Sequence, residues 1–432
     1  MLFCNVSLID ENFELQENMY LGTSGNKITY ISKNPPAQPE LYGETYQKNA
    51  GKLLIPGFYN AHSHIYMHIL RGYGENLSLM DWLNTRIFPF EAKLTDSIMH
   101  DAALCGIAEM LRFGIVSTSD MHLLAPSMGH AFASSGIKAN LSTCCTAFGH
   151  EAYTDTSNYP AVLQMLNDNP AYDGDRIRAE FSLHAEYTST EKVARGLAEM
   201  AKAYNTGIHV HVSETVSEVN DCRGRHQGKT PVEYLADCGI FDVPTTAAHC
   251  VHLTDTDIDI LHEKNVTVAT CPKSNLKLAS GVCPVTKLLA KGVNVAIGTD
   301  SVASNNNLNM LEEIKTFALL QKGILQDPTV ITPAEALYAA TRAGALGQGR
   351  TDCGLLKEGY RADIAVIDTN QIYYQPAHNQ LNNLIYSGSG TDVCLTMADG
   401  QILYQDGIYP TIDIEQALWK TEKARKEILQ SF

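Results

Sequence analysis

Short apolar runs alternate with longer stretches of helical periodicity through the middle of the chain. The runs are "GKLLIPGFYNAHSH", "GIVSTSDMH", "GIKANLSTC", "RIRAEFSLHAEY", "GIHVHVSE", "TTAAHCVHL", "NVTVATCP" and "GVNVAIGTDS", eight in all. Their length and apolar content read as buried strands. Between them lie stretches such as "TDSIMHDAALCGIAEMLRFG", where Ile98, Leu104, Ile107, Ala108 and Leu111 recur at helical spacing. Thr95 is the expected N-cap of that helix and Gly114 its stop. Strand–helix alternation repeated eight times predicts an α/β fold, a closed (β/α)8 TIM barrel.

The two ends break this rhythm. Residues 1 to about 53 contain "NKITYISKN" and turn residues but no helical pattern. From about residue 358 the chain reads "EGYRADIAVIDTN" and then "DVCLTMADGQILYQDG", where Asp399-Gly400 sits between apolar runs as a hairpin signal. We expect residues 1–53 and 358–432 to pair into a small β-sandwich domain beside a catalytic barrel over 54–357. The last stretch, "TIDIEQALWKTEKARKEILQSF", reads as a terminal helix.

In such a barrel, chemistry lies at the C-terminal ends of the strands. Strand one ends in His62-x-His64. Strand two ends near Asp120 and His122, and strand four carries His184 and Glu186. Strand five, "GIHVHVSETVSEV", carries His209, His211 and Glu214. Strand six carries His249 and His252, and strand eight ends in Gly298-Thr299-Asp300. Alternate strand residues share a face, so His62 and His64 both look inward, as do His209 and His211. A single buried histidine is usually a satisfied core residue. An H-x-H pair, a histidine on strand five and an aspartate on strand eight at one mouth point instead to a metal site. A metal so held brings the pKa of water toward about 7, which suits hydrolytic attack on an electron-poor carbon. Glu214, three residues past His211, sits where a general acid/base is needed. His209, two residues deeper, reads as an interior histidine behind the site.

Composition narrows the partners. The chain has 432 residues, 44% hydrophobic and 19% charged, with room for one large domain and a smaller one. A formal net charge of -16 repels phosphate backbones, so nucleic acid is not an expected partner. The eleven cysteines show no paired C-x-x-C spacing, and "MLFCNVSLIDENFEL" lacks the basic start and apolar core of a secretory leader. Free thiols in the cytoplasm are expected. No apolar run approaches the ~20 residues of a membrane span. The apolar barrel helices and helical C-terminus allow a homo-oligomer.

The stretches "PGFYNAHSH", "LRGYGENLSLMDWL", "HVHVSET", "AAHCVHL", "CPKSNLKLASG" and "GTDSVASNNNLNM" make the chain resemble the amidohydrolase superfamily. Within it, the chain is similar to the S-adenosylhomocysteine/5′-methylthioadenosine deaminase family from about residue 50 to the C-terminus. The resemblance implies one catalytic divalent metal held by His62, His64, His211 and Asp300. Zinc is the default, and ferrous iron or manganese suits the same ligands. It also implies that Glu214 protonates the substrate ring, that His249 hydrogen-bonds the attacking nucleophile, and that Asp300 moves a proton to the departing ammonia. His184 would contact substrate, Glu91 in "FPFEAKLT" would hold a ribose diol, and Trp82 in "MDWL" would form an apolar wall. Strand four lacks the lysine that bridges two metals in binuclear relatives.

The implied reaction is metal-dependent hydrolytic deamination of an adenosine-type nucleoside to the inosine analogue and ammonia. 5′-Methylthioadenosine, 5′-deoxyadenosine, adenosine and S-adenosylhomocysteine are the candidates. The alternative is an aminohydrolase of guanine, a pterin, an oxidised purine or a triazine. A binding module that has lost catalysis is the reading from another class, and the retained ligand positions argue against it. The region after strand three, "STCCTAFGHEAYTDTSNY", has no arginine to pair with a substrate carboxylate. This favours the neutral nucleosides over S-adenosylhomocysteine, with His150 or a partner subunit left to compensate. Ser301 and Val302 also replace smaller family residues beside Asp300.

Overall fold

The computed structural model describes residues 1–46, 51–123, 126–149, 152–172 and 175–432. Eight strands run parallel in one sheet, in chain order: Phe58–Ser63, Ile115–His122, Lys138–Cys145, Ile177–Leu183, Ile208–Val212, Thr245–His249, Thr267–Thr270 and Asn294–Ile297. These are strands one to eight of the barrel. Parallel strands require crossovers, and helices supply them. The helix after strand one, Asp96–Arg112, starts as its sequence predicts: the Thr95 hydroxyl accepts from the Ile98 amide. Gly114 follows it at φ 82°.

The circle closes between strands eight and one. The Asp300 amide donates to the His62 carbonyl at 3.0 Å. Asn60 bridges the same seam: its side-chain carbonyl accepts from the Thr299 amide at 2.9 Å and its amide donates to the Thr299 hydroxyl at 2.8 Å. Closure therefore brings His62, His64 and Asp300 to one place.

The run "GKLLIPGFYNAHSH" is two strands, not one. Lys52–Pro56 belongs to a second sheet, and Phe58–Ser63 begins the barrel. The break falls at Pro56–Gly57. Proline cannot donate to a ladder, and a Cβ at Gly57 would lie 2.4 Å from Val116 Cγ1. Lys52–Pro56 spans the expected boundary at residues 53–54.

The second sheet is built from both ends of the chain. Its strands are ordered Gln401–Gln405, Val393–Ala398, Ile364–Asp368, Lys52–Pro56, Leu2–Ile9, Leu15–Ser24 and Lys27–Ser32, with Thr45–Tyr46 added beside Leu2–Ile9. Asp399 and Gly400 turn the hairpin at φ 48° and 77°, as a tight turn between twisted strands requires. This sheet has its own core of Phe3, Leu8, Leu21, Leu54, Val366 and Leu395. A buried ionic contact joins it to the barrel: Asp363 receives the Lys138 ammonium and the Tyr59 hydroxyl, and Lys138 also reaches Asp399 at 3.0 Å. The terminal helix Ile414–Leu429 packs on Asp96–Arg112. No helix among the described residues is long and apolar enough to cross a membrane.

Candidate active site

Four side chains from three strand ends converge at the C-terminal mouth. The His64 Nδ1–H donates to the Met121 carbonyl at 2.7 Å, and the His211 Nδ1–H donates to the His184 carbonyl at 2.6 Å. A carbonyl only accepts, so each Nε2 keeps its lone pair. Those two Nε2 atoms lie 3.2 Å apart. His62 Nε2 is buried without a hydrogen-bond partner among the described residues. Asp300 Oδ1 lies 3.5 Å from both His62 Nε2 and His64 Nε2. Its Oδ2 accepts from the Ser274 and Ser304 hydroxyls at 2.5 and 2.9 Å, which fixes the carboxylate. Burial pushes His62 down to about 4, which keeps its ring neutral, as a metal ligand must be. Facing lone pairs, an orphaned nitrogen and an anchored carboxylate suit a divalent cation, and three imidazoles with one carboxylate are a zinc-type donor set.

The backbone aims these groups. Ser213, His249 and Asp300 follow or end strands five, six and eight at φ 50°, 70° and 57°. Left-handed conformations at non-glycine residues store strain and concentrate at functional sites. Ser213 ends the alternation of strand five and turns Glu214 into the mouth. The Ser213 and Glu214 amides donate to the Glu218 carboxylate at 2.8 and 2.6 Å, and Glu218 also caps the helix Val216–Arg225. Glu214 Oε1 accepts from Ser280 at 3.4 Å, and its Oε2 lies 3.9 Å from His249 Nε2. Burial raises the pKa of Glu214 above its ordinary value, the direction a proton carrier requires. The His249 Nδ1–H donates to Asn275 Oδ1 at 2.8 Å, which points its Nε2 toward Glu214.

A cleft of about 860 Å³ opens onto these groups. It also holds Glu91, Trp82, His184, Tyr187, Ser301 and Cys144. Glu91 accepts from the Tyr66 hydroxyl at 2.6 Å. Burial pushes Glu91 up to about 7, and the Tyr66 donor acts against the rise. The apolar wall is one helical segment whose middle turn, Leu83–Ile87, is a π-helix. Leu79, Leu83, Ile87 and Glu91, each four residues apart, all line the cleft. The wide turn holds that spacing on one side, and π-turns are commonest at functional sites. Among the described residues, the cleft lining contains no lysine or arginine. His150 lies outside the described residues.

Other strand-end residues serve as supports. Asp120 accepts from the Ser63 hydroxyl and the Ile65 amide, both at 2.8 Å, and braces strand one. His122 lies 3.5 Å from the Asp120 carboxylate and outside the cleft lining. His252 donates to the Ser280 carbonyl at 2.6 Å, behind Glu214. Glu186 faces Arg225 and His226 instead of the cleft. Cys250 is buried outside the cleft lining. Sequence reasoning did not single out Tyr66, Ser274, Asn275, Ser280 or Ser304. All but Tyr66 lie in "CPKSNLKLASG" and "GTDSVASNNNLNM", so those motifs were signals without assigned roles.

The model of the Amidohydrolase family matches residues 53–403. A 5-methylthioadenosine/S-adenosylhomocysteine deaminase of Dictyoglomus thermophilum is 41% identical over 379 residues, 88% of each chain. A 5′-deoxyadenosine deaminase of Methanothermobacter thermautotrophicus is 39% identical over 89% of this chain and 90% of its own. The crystal structure of an adenosine deaminase from Xanthomonas campestris with bound zinc superposes at a TM-score of 0.92, with 28% identity over 99% of this chain and 98% of its own. The chain belongs to the amidohydrolase family.

Proposed function

We propose that the protein is a metal-dependent hydrolytic deaminase of adenosine-type nucleosides, releasing ammonia and the inosine analogue. The observation that carries this is the pair of lone-pair-bearing nitrogens, His64 Nε2 and His211 Nε2, 3.2 Å apart beside Asp300 and under a deep cleft. The relatives named above as deaminases of such nucleosides support the substrate class.

In this reading His62, His64, His211 and Asp300 hold one divalent cation, zinc by analogy with the Xanthomonas enzyme. When bound, such an ion supplies a nucleophile from water near neutral pH. Glu214 gives its proton to the ring nitrogen beside the attacked carbon. His249, oriented by Asn275, hydrogen-bonds the incoming nucleophile through Nε2. Asp300, steadied by Ser274 and Ser304, takes the proton of the hydroxyl added at that carbon and passes it to the amine, which leaves as ammonia while the carbonyl forms. Glu91 accepts the two ribose hydroxyls. His184 contacts substrate, and Trp82 covers its apolar face. A lining without lysine or arginine and with carboxylates from Glu91, Glu214 and Asp300 favours an uncharged 5′-substituent. Eleven free cysteines fit a cytoplasmic enzyme.

The test is ammonia release and ultraviolet change by the zinc-loaded protein. The panel holds 5′-methylthioadenosine, 5′-deoxyadenosine, adenosine, S-adenosylhomocysteine, adenine, guanine and a pterin. Turnover of the neutral nucleosides, with S-adenosylhomocysteine weaker, is expected. Turnover of free bases alone would sink the ribose role of Glu91.

A further inference from the structure

Helix Val216–Arg225 starts two residues after Glu214, and its far end returns to the loop after strand four. There Glu186, only 2% exposed, meets Arg225. Arg225 Nε donates to Oε1 at 3.2 Å, and a terminal guanidinium nitrogen donates to Oε2 at 2.6 Å. His226 Nε2 lies 2.6 Å from the same Oε1, and its ring stacks on Tyr234 at 3.8 Å. Glu186, Cys222 and His226 are close enough to hold a cation. The guanidinium already occupies both carboxylate oxygens, so the cluster is an ion-pair network.

Glu186 and Tyr187 lie in the tight turn Glu186–Thr188, two residues after His184, and His184 and Tyr187 both line the cleft. His184 Nδ1 lies 3.2 Å from the Thr188 hydroxyl, and the Thr188 carbonyl accepts from the Ala147 amide at 2.9 Å. The His184 ring therefore takes its orientation from this turn. Its backbone is fixed elsewhere: the amide donates to Cys145 at 2.9 Å and the carbonyl accepts from the His211 amide at 3.0 Å. Loosening the turn moves the His184 and Tyr187 side chains and leaves the strand ladder under His211 intact.

We propose that Arg225 is a positioning residue: its fork on Glu186 sets the His184 and Tyr187 side chains that receive the substrate. One helix thereby ties two walls of the cleft, Glu214 at its start and the His184–Tyr187 turn at its end. The proposal rests on the reading that this cleft binds the nucleoside.

The test is a double-variant cycle on the zinc-loaded protein with its best nucleoside: Arg225→Ala, Tyr187→Ala and the pair, beside Arg225→Lys and His184→Ala. Arg225→Ala is expected to raise KM about tenfold while kcat stays within about threefold. Metal content stays at the wild-type level. Arg225→Lys restores part of the KM, because it keeps the charge without the fork. The pair loses less than the product of the two single losses, since part of the Arg225 effect acts through the Tyr187 ring. An unchanged KM in Arg225→Ala, or losses that multiply in the pair, overturns the proposal. Should Arg225→Ala not fold, Arg225→Lys decides: a raised KM supports the proposal and a wild-type KM overturns it. If His184→Ala and Tyr187→Ala both leave KM unchanged, the cleft reading fails and this proposal fails with it.

Discussion

His62 Nδ1 and His209 Nε2 lie 2.9 Å apart, both rings fully buried in the barrel. With His62 Nε2 turned toward His64, His211 and Asp300, Nδ1 is the nitrogen that donates and His209 is its acceptor. Such outer partners fix tautomer and ring orientation and typically change metal affinity by about 10–100-fold. His209→Ala is expected to lower zinc affinity by that factor, and His209→Gln, which keeps an acceptor, by less. Metal content after dialysis against graded chelator measures both. Equal retention in all three proteins would leave His209 a packing residue.

Glu214→Gln keeps the shape of the side chain and removes its proton chemistry. We expect zinc content at the wild-type level and kcat reduced by at least about 10²–10⁴-fold. Near-normal turnover would take Glu214 out of the mechanism.

Under the proposed role of Glu91, an acidic limb is expected. Burial holds its carboxyl at about 7, so it becomes neutral as pH falls below that value. A neutral carboxyl accepts diol hydrogens poorly, so KM for a ribonucleoside should rise toward acid, by up to about tenfold per unit. Tyr66→Phe removes the donor that favours the charged form and should move the limb to higher pH. A 2′-deoxynucleoside should show a shallower limb, and a KM independent of pH would contradict the assignment.

Asp363 and Lys138 form a buried pair, each about 1% exposed, between the barrel and the second sheet. Burial works against ionisation of Asp363, and the Lys138 ammonium and Tyr59 hydroxyl outweigh it, so the carboxyl titrates below its ordinary range. Its contribution to stability is complete above the ordinary aspartate value of about 3.9 and is lost as pH falls through the lower folded value. Removing Lys138 leaves the buried Asp363 carboxylate without its cation, at a cost of about 3–5 kcal/mol, whereas removing Asp363 leaves Lys138 its contact with Asp399. Lys138→Ala should lower the denaturation midpoint accordingly at pH 7, and by less in strong acid. An unchanged midpoint would mean that water replaces the pair.

The meeting of His62, His64, His211 and Asp300 was legible because strand chemistry is simple. His62, His211 and Asp300 stand at strand ends, and residues two apart share a face. Glu91 and Trp82 could be assigned to the cleft only through motif likeness, since nothing local says that a carboxylate meets Tyr66, 25 residues earlier in the chain. The split at Pro56–Gly57 was hidden because "LLIPGF" is apolar on both sides, and the close approach of Val116 that demands Gly57 shows only in the fold. The left-handed turns at Ser213, His249 and Asp300 were also invisible. Serine, histidine and aspartate do not announce that conformation as glycine does. It is imposed by the tertiary bonds that gather the site, such as the Asp300 amide on the His62 carbonyl.

The strand Lys52–Pro56 pairs Leu54 with Val366, roughly three hundred residues further along the chain. A ribosome adding about 5–20 residues per second needs some tens of seconds to cover that distance. For that interval the nascent chain carries Leu53, Leu54 and Ile55 on a strand paired on one side with Leu2–Ile9 and lacking its partner on the other. An unpaired apolar edge invites pairing with other chains. The segment just ahead of His62 and His64 is thus a part of the newborn protein that a chaperone would shield. The finished C-terminal strands take over that protection by covering the edge.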